Sequence, residues 1–253
     1  MADDYVIETR GLVKSFGGFR AVDGVDLKVR RGTIHALIGP NGAGKSTMFN
    51  LVTKFLQPTE GKILYDGRDI TRTKAPAVAR MGMIRSFQIS STFPHLTVHS
   101  NVRVALQRRL DTSFHFWKSD RSLAVLDDEA DALIARVGLT EFRDALAVEL
   151  PYGRKRLLEV ATTLALDPKV MLLDEPMAGM GTEDIARVTE LIRREAQGRT
   201  VVMVEHNIRV VADLSDTITV LARGAVLAEG PYETVSADER VISAYMGGME
   251  EHA

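Results

Sequence analysis

Gly39-Pro40-Asn41-Gly42-Ala43-Gly44-Lys45-Ser46-Thr47 follows a short apolar run, Ile34 to Ile38. It leads into residues 45–56, where Met48, Phe49, Leu51, Val52, Phe55 and Leu56 give one apolar side. Buried strand, glycine-rich turn, amphipathic helix is the order a phosphate-binding loop requires. Glycines let backbone N–H groups converge on phosphate oxygens without a side chain in the way. The helix start adds positive dipole charge. Lys45 is placed to pair with β- and γ-phosphates, and Ser46 to offer its hydroxyl to Mg²⁺. The candidate residues for ATP are Gly39, Asn41, Gly42, Ala43, Gly44, Lys45, Ser46 and Thr47.

Two later runs repeat the form of a buried strand ending in polar groups. Val170-Met171-Leu172-Leu173 ends in Asp174-Glu175. Asp174 suits a Walker B role, holding Mg²⁺ directly or through its waters. Glu175, one residue on, suits a general base that polarises the attacking water. A solvated acidic turn before Pro176 is the competing reading, and the upstream loop argues against it. Val201-Val202-Met203-Val204 ends in Glu205-His206. A histidine at that strand end is placed to contact the γ-phosphate and orient the water.

The pattern is α/β at both ends of the chain and differs in the middle. Val25, Leu27 and Val29 alternate as in a half-buried strand, residues 62–65 and 83–87 read as strands, and Asp66-Gly67 signals a hairpin turn. From about 89 to 166 the chain leans helical, with Leu123, Leu126, Ala130, Leu133, Ile134 and Val137 at helical spacing. Residues 170–173 and 200–204 fit buried parallel strands. Residues 218–221 and 226–228 flank Arg223-Gly224 as a closing hairpin. A helical insertion in a nucleotide-binding core follows.

Composition narrows the function. The 253 residues are 45% hydrophobic and 26% charged, ordinary values for a globular chain. A formal net charge of −2 provides no field for nucleic acid. The absence of cysteine excludes disulfides and cysteine-ligated zinc. Asp3 and Asp4 stand where a secretory signal has its basic start, so no signal is expected. No stretch approaches the ~20 apolar residues that span a bilayer, so work at a membrane requires another chain to supply the span.

Together these motifs resemble those of ABC transporter nucleotide-binding subunits over nearly the whole chain. The resemblance implies an α/β fold: a P-loop (RecA-like) core with an antiparallel β subdomain and an inserted α-helical subdomain. It implies one ABC ATPase domain, with 1–88 and 167–253 forming the core and 89–166 the helical part. Phe16 resembles the aromatic that stacks on adenine. Gln88 resembles the Q-loop glutamine, which contacts Mg²⁺ and the attacking water. Leu150 to Arg154 occupies the signature position, Ala178-Gly179-Met180 the D-loop and His206 the switch histidine. Catalytic roles then fall to Glu175, His206 and Gln88, and metal roles to Ser46, Gln88 and Asp174. Ser86-Phe87-Gln88, Leu96-Thr97-Val98, Asn101-Val102 and Asp174-Glu175-Pro176-Met177-Ala178-Gly179 are most similar to the ATPases of bacterial branched-chain amino-acid importers, as is the tail 241–247. Urea and amide importers are close relatives.

That likeness implies partners: integral-membrane permease subunits, a second ATPase subunit (the same or different), and indirectly a periplasmic solute-binding protein. It implies a peripheral place on the cytoplasmic face of a bacterial membrane. Residues 90–95 are the expected permease-facing surface, with Phe114, Phe116 and Trp117 either docking there or packing within the insertion. A non-transport ABC ATPase of the DNA-repair or translation type is the alternative, although those usually carry two cassettes or a long coiled coil. A GTPase would need an Asn-Lys-x-Asp guanine reader, and none is present.

One departure stands out. The usual signature reads Leu-Ser-Gly-Gly-Gln, whereas this chain has Leu150-Pro151-Tyr152-Gly153-Arg154. Tyr152 is common in the branched-chain importers. Pro151 removes both the serine hydroxyl and a backbone N–H from the group that reaches the partner's γ-phosphate. The residues for this chain's own ATP are intact, so pairing with a different ATPase chain, and two composite sites of unequal activity, are expected.

Overall fold

The computed structural model describes residues 4–86, 92–108 and 126–250, with the backbone alone at 247–250. Two sheets form. The first holds β1 (Tyr5–Phe16), β2 (Phe19–Val25), β3 (Lys28–Arg30), β5 (Glu60–Tyr65) and β6 (Arg68–Asp69). It is antiparallel, ordered β2-β1-β5-β6, with β3 also on β1. The second holds β4 (Ile34–Ile38), β7 (Met83–Arg85), β8 (Val170–Asp174), β9 (Thr200–Val204), β10 (Thr217–Ala222) and β11 (Ala225–Gly230). Its order is β11-β10-β4-β9-β8-β7, parallel except where β11 turns back along β10.

Nine α-helices lie among the described residues. They are α1 (Lys45–Val52), α2 (Ala75–Arg80), α3 (Val98–Gln107), α4 (Asp127–Arg136), α5 (Tyr152–Leu164), α6 (Thr182–Glu195), α7 (Ile208–Leu214), α8 (Tyr232–Ser236) and α9 (Glu239–Glu250). None is long and apolar enough to cross a membrane.

The alternation of strand side chains explains why the apolar runs are continuous. Ala36, Met171, Leu173, Val201 and Met203 face one core, with α5, α6 and α7. Leu37, Val170, Leu172, Val202 and Val204 face the other, where α1 packs between the two sheets. The parallel sheet is therefore buried on both faces. The first core continues into α3 and α4 through Val98, Val102, Leu106, Ala130 and Ile134. An ion pair reinforces this junction: Arg136 on α4, at the surface, engages the Glu195 carboxylate on α6 through two guanidinium nitrogens, one at 2.8 Å. Glu195 is only 1% exposed.

Three local readings need correction. Residues 45–56 do not form one helix: α1 stops at Val52, because Lys54 takes a left-handed φ of 65° and Thr53 turns its hydroxyl back onto the Phe49 carbonyl. The alternating Val25, Leu27 and Val29 are all buried, but Val25 ends β2, Val29 lies in β3 and Leu27 falls in the gap between the two strands. Between them the Asp26 carboxylate accepts from Gly11 N–H and the Thr9 hydroxyl from Leu27 N–H, so side chains replace part of the ladder. The third strand read at 83–87 is assigned only over Met83–Arg85. Of the helical spacing at 123–137, Leu126 onward is buried as expected, while Leu123 lies outside the described residues.

His35, inside β4, is 1% exposed. Thr219 donates its only hydroxyl proton to Glu229 at 2.6 Å, so it accepts from His35 Nε2–H at 2.8 Å. Burial holds that imidazole neutral and lowers its pKa from 6.5 to about 4. The unfolded chain thus takes up the proton first, and stability is lost as pH falls from about 6.5 toward 4. Between pH 7 and pH 5 this one group should cost about 2 kcal/mol. Urea unfolding at the two pH values should show that loss, and His35→Gln should flatten it.

Candidate active site

The ladder register decides which strand ends meet. Leu37 of β4 pairs with Val204 of β9, and Val204 pairs with Asp174 of β8. The carboxyl ends of three adjacent parallel strands therefore stand side by side, where ligands bind in sheets of this kind. The glycine-rich loop leaves β4, Asp174 and Glu175 end β8, and Glu205 and His206 leave β9.

The loop is held by close backbone approach. Gly39 has φ 148°, and a β-carbon there would stand 2.1 Å from the Leu221 carbonyl oxygen. At Gly44, φ is 98° and the same atom would meet the Ala21 carbonyl oxygen at 2.4 Å. No other residue type fits either position without moving the sheet or β2. Gly224 N–H donates to the Ala43 carbonyl at 3.0 Å, and Asp23 N–H to the Gly224 carbonyl at 2.8 Å, joining loop, β2 and the β10–β11 turn. In the C-terminal helix, burial raises the Tyr245 phenol above its usual range, and the nearby Gly39 backbone partly opposes that shift.

Lys45 turns back into this loop. Its Nζ donates to the carbonyls of Gly39 at 2.6 Å and Pro40 at 2.9 Å. Burial lowers the Lys45 ammonium from its ordinary value, and nearby Glu175 partly opposes that shift. Ser46 is exposed and Thr47 half-buried. Phe16 closes the β1–β2 hairpin opposite Phe19, across the left-handed pair Gly17-Gly18. Phe16 is 47% exposed, with Lys14 Nζ 5.1 Å from the ring centre. That leaves an aromatic face open on a hairpin whose second strand backs onto Gly44.

The acidic pair is built differently at its two members. Arg85, the last residue of β7, donates Nη2 to Asp174 Oδ2 at 2.6 Å and Nη1 to Asn50 Oδ1 at 2.7 Å. Its guanidinium also lies 5.1 Å from the Phe49 ring centre and 4.9 Å from that of Phe55. Glu175 takes a left-handed φ of 45°. Its N–H donates to Val204 O at 2.9 Å, and its carbonyl accepts from Ala178 N–H at 3.1 Å and Arg156 Nη2 at 3.4 Å. His206 is exposed at the end of β9.

Pro151 is the residue just before α5, with φ −55° and no side-chain cap, so the proline precedes the first helical position. A β-carbon on Gly153 would stand 2.3 Å from an Asp184 carboxylate oxygen, and one on Gly179 3.3 Å from the Tyr152 ring. Leu150 to Arg154 thus packs directly on the segment containing Ala178-Gly179-Met180. Arg154 caps the Phe142 ring at 5.4 Å. Gln88, residues 90–91, Phe114, Phe116 and Trp117 lie outside the described residues.

Arg85, Arg156 and Glu205 were not singled out from the sequence. A charged residue closing the apolar Met83-Ile84 pair was the available signal for Arg85. Each of the three has a partner distant in the chain that no local pattern announces.

A family model described as ABC transporter matches residues 22–178, and a second, branched-chain amino acid ATP-binding cassette transporter, matches residues 225–251. The chain is 38% identical to the high-affinity branched-chain amino acid transport ATP-binding protein BraF of Pseudomonas aeruginosa, covering 96% of this chain and 98% of that protein. It is 36% identical to the corresponding LivG protein of Escherichia coli, again over 96% and 98% of the two chains. Among solved structures, an ATP-binding cassette of an ABC transporter in its ADP conformation superposes with TM-score 0.82 at 28% identity, covering 96% of this chain and 99% of that one. A nucleotide-free cassette gives TM-score 0.81 at 27% identity, covering 95% and 98%.

Arg85 and Asp174 are 16% and 13% exposed at their side chains. Removing one partner strands the other's charge in a poorly solvated place. Arg85→Met should lower unfolding stability by about 3 kcal/mol. In an Asp174→Asn background the same change should cost clearly less, which a double-mutant cycle by urea unfolding will read.

Proposed function

The chain belongs to the ABC transporter family, and from that premise we propose that it hydrolyses ATP to drive an importer of branched-chain amino acids or related small polar solutes. The observation that carries this reading is the convergence of the glycine loop, Asp174-Glu175 and His206 at three neighbouring strand ends. The relatives named above are themselves transport ATP-binding proteins, which disfavours a DNA-repair or translation role.

The chemistry follows from the placement of these groups. Backbone N–H groups of residues 39–47 receive the phosphates of ATP. Lys45 exchanges its two loop carbonyls for β- and γ-phosphate oxygens, so the loop holds the ammonium in place before the nucleotide arrives. The Ser46 hydroxyl and Asp174 carboxylate are hard oxygen donors suited to Mg²⁺, with Gln88 as a further ligand. Mg²⁺ held there would neutralise phosphate charge. Arg85 holds Asp174 Oδ2 and fixes the carboxylate's orientation. Glu175 takes the proton of the attacking water. His206 contacts the γ-phosphate, and Phe16 stacks on adenine.

Residues 1–88 and 167–253 act as the core and residues 89–166 as the helical part, which carries Pro151, Tyr152, Gly153 and Arg154 to the ATP of a second ATPase subunit. Closure around two nucleotides and reopening after phosphate release move the permease subunits. A periplasmic solute-binding protein supplies the solute from the far side, and this chain works on the cytoplasmic face of the membrane.

Two outcomes test this reading. Glu175→Gln should keep ATP affinity while slowing phosphate release by about 100-fold or more, in line with loss of a general base; wild-type turnover would remove Glu175 from that role. Pro151→Ser should raise ATP turnover of the assembled transporter, because it restores the hydroxyl and N–H offered to the partner's γ-phosphate. Unchanged turnover would overturn the reading of Pro151 as weakening the partner's site.

A further inference from the structure

Glu205 ends a fully buried strand, yet its own side chain stays inside, at 1% exposure. A carboxylate in such a place is costly unless its oxygens are satisfied. Among the described residues no lysine or arginine forms an ion pair with it. Backbone groups do the work instead. Oε1 accepts from Met177 N–H at 3.0 Å. Oε2 accepts from His206 N–H at 2.8 Å and Asn207 N–H at 2.9 Å. One anion thus gathers three peptide dipoles from two separate turns.

Those two turns carry the two groups assigned to the γ-phosphate end of ATP. Met177 lies two residues beyond Glu175, in the turn closed by Ala178 N–H on the Glu175 carbonyl. His206 is itself one of the donors. Asn207 then caps α7, accepting from Arg209 and Val210 N–H at 3.2 and 3.4 Å. Glu175 adopts a left-handed backbone, a conformation a non-glycine residue keeps only when its surroundings over-determine it.

We propose that Glu205 is a positioning residue that locks the Glu175 turn and the His206 turn to each other, fixing the spacing of base and switch histidine for hydrolysis. This rests on the roles given above to Glu175 and His206. The requirement is for two acceptors. A glutamine offers one acceptor and one donor, so its amide would set N–H against N–H at one of the two turns. Binding of ATP depends on the loop at residues 39–47, which Glu205 does not touch, so the effect belongs to turnover.

The test measures ATP affinity and phosphate release for the assembled transporter carrying Glu205→Gln, His206→Ala and both changes. Glu205→Gln is expected to keep ATP affinity within about 2-fold and to lower kcat at least 10-fold. In the His206→Ala background the same substitution should lower kcat by no more than about 3-fold, because part of its effect runs through the histidine. Wild-type kcat, an equal loss in both backgrounds, or a parallel loss of ATP affinity would each overturn the proposal. Should Glu205→Gln fail to fold, Glu205→Asp keeps both acceptors but shortens their reach by one methylene; it should bind ATP normally with reduced kcat, and full kcat would be decisive against. Glu175→Gln run alongside separates the two readings. If that variant turns over normally the base assignment falls, whereas the lock is judged on the Glu205–His206 coupling.

Discussion

At Gly39 the chain turns out of β4 so close to the Leu221 carbonyl that no β-carbon fits between them. The rest of the site depends on that approach. It brings the loop down onto the edge where β10 passes β4, and Gly44 repeats it against Ala21. Between these two points the backbone is held at both ends, with Ala43 N–H turned onto the Pro40 carbonyl at 3.2 Å. Tethering to β2 and to the β10–β11 turn adds hydrogen bonds but no side chain to the cradle. The glycines therefore do two jobs at once. They clear space for phosphate on one side and allow contact with the sheet on the other, which ties nucleotide binding to the integrity of both sheets.

In this structure buried charge is handled in four ways, and the differences sort structure from chemistry. Glu195 is gripped by Arg136 across the junction of α4 and α6. Arg156 and Glu159, 9% and 4% exposed at their side chains, pair within one turn of α5, and burial raises the Glu159 carboxyl above its usual range. Arg156 then extends Nη2 to the Glu175 carbonyl. Asp174 shares Arg85 with Asn50, binding β7, β8 and α1 at one point. Glu205 alone relies on peptide N–H groups. A long cation tolerates small shifts of its partner. Three short backbone contacts to one carboxylate do not, so the acid that uses them is the one joining the two turns whose spacing matters.

What the sequence revealed follows from the range of each interaction. The loop, the acidic strand end and His206 were legible because each is written within a dozen residues: an apolar run of strand length, then the polar groups. The hairpins at Asp66-Gly67 and Arg223-Gly224 were legible for the same reason, and both pairs have positive φ. The end of α1 was not, because Lys54 adopts a left-handed backbone that its residue type does not announce, and the apolar Phe55 and Leu56 prolonged the helical pattern. Arg85, Arg156 and Glu205 were hidden for another reason. Arg85 meets Asp174 across 89 residues and Glu205 meets Met177 across 28, and no local pattern encodes such a meeting.

Pro151 shows how a change in one chain can have its cost in another. It stands just before α5 with φ −55°, a value proline adopts without strain, and its missing N–H takes no ladder bond from the helix. What α5 forgoes is a side-chain cap, worth about 1 kcal/mol, and Lys155 N–H still reaches the Pro151 carbonyl at 3.0 Å. Leu150 remains buried, Tyr152 still packs on Gly179 and Gly153 on Asp184. The fold of this chain therefore barely registers the substitution. On the proposed reading, the lost hydroxyl and N–H belong to a contact with a phosphate bound by the second ATPase subunit. With a second ATPase subunit of different sequence, a surface neutral for its own fold and deficient only toward a neighbour would on that reading set two composite sites apart without altering Lys45, Asp174, Glu175 or His206.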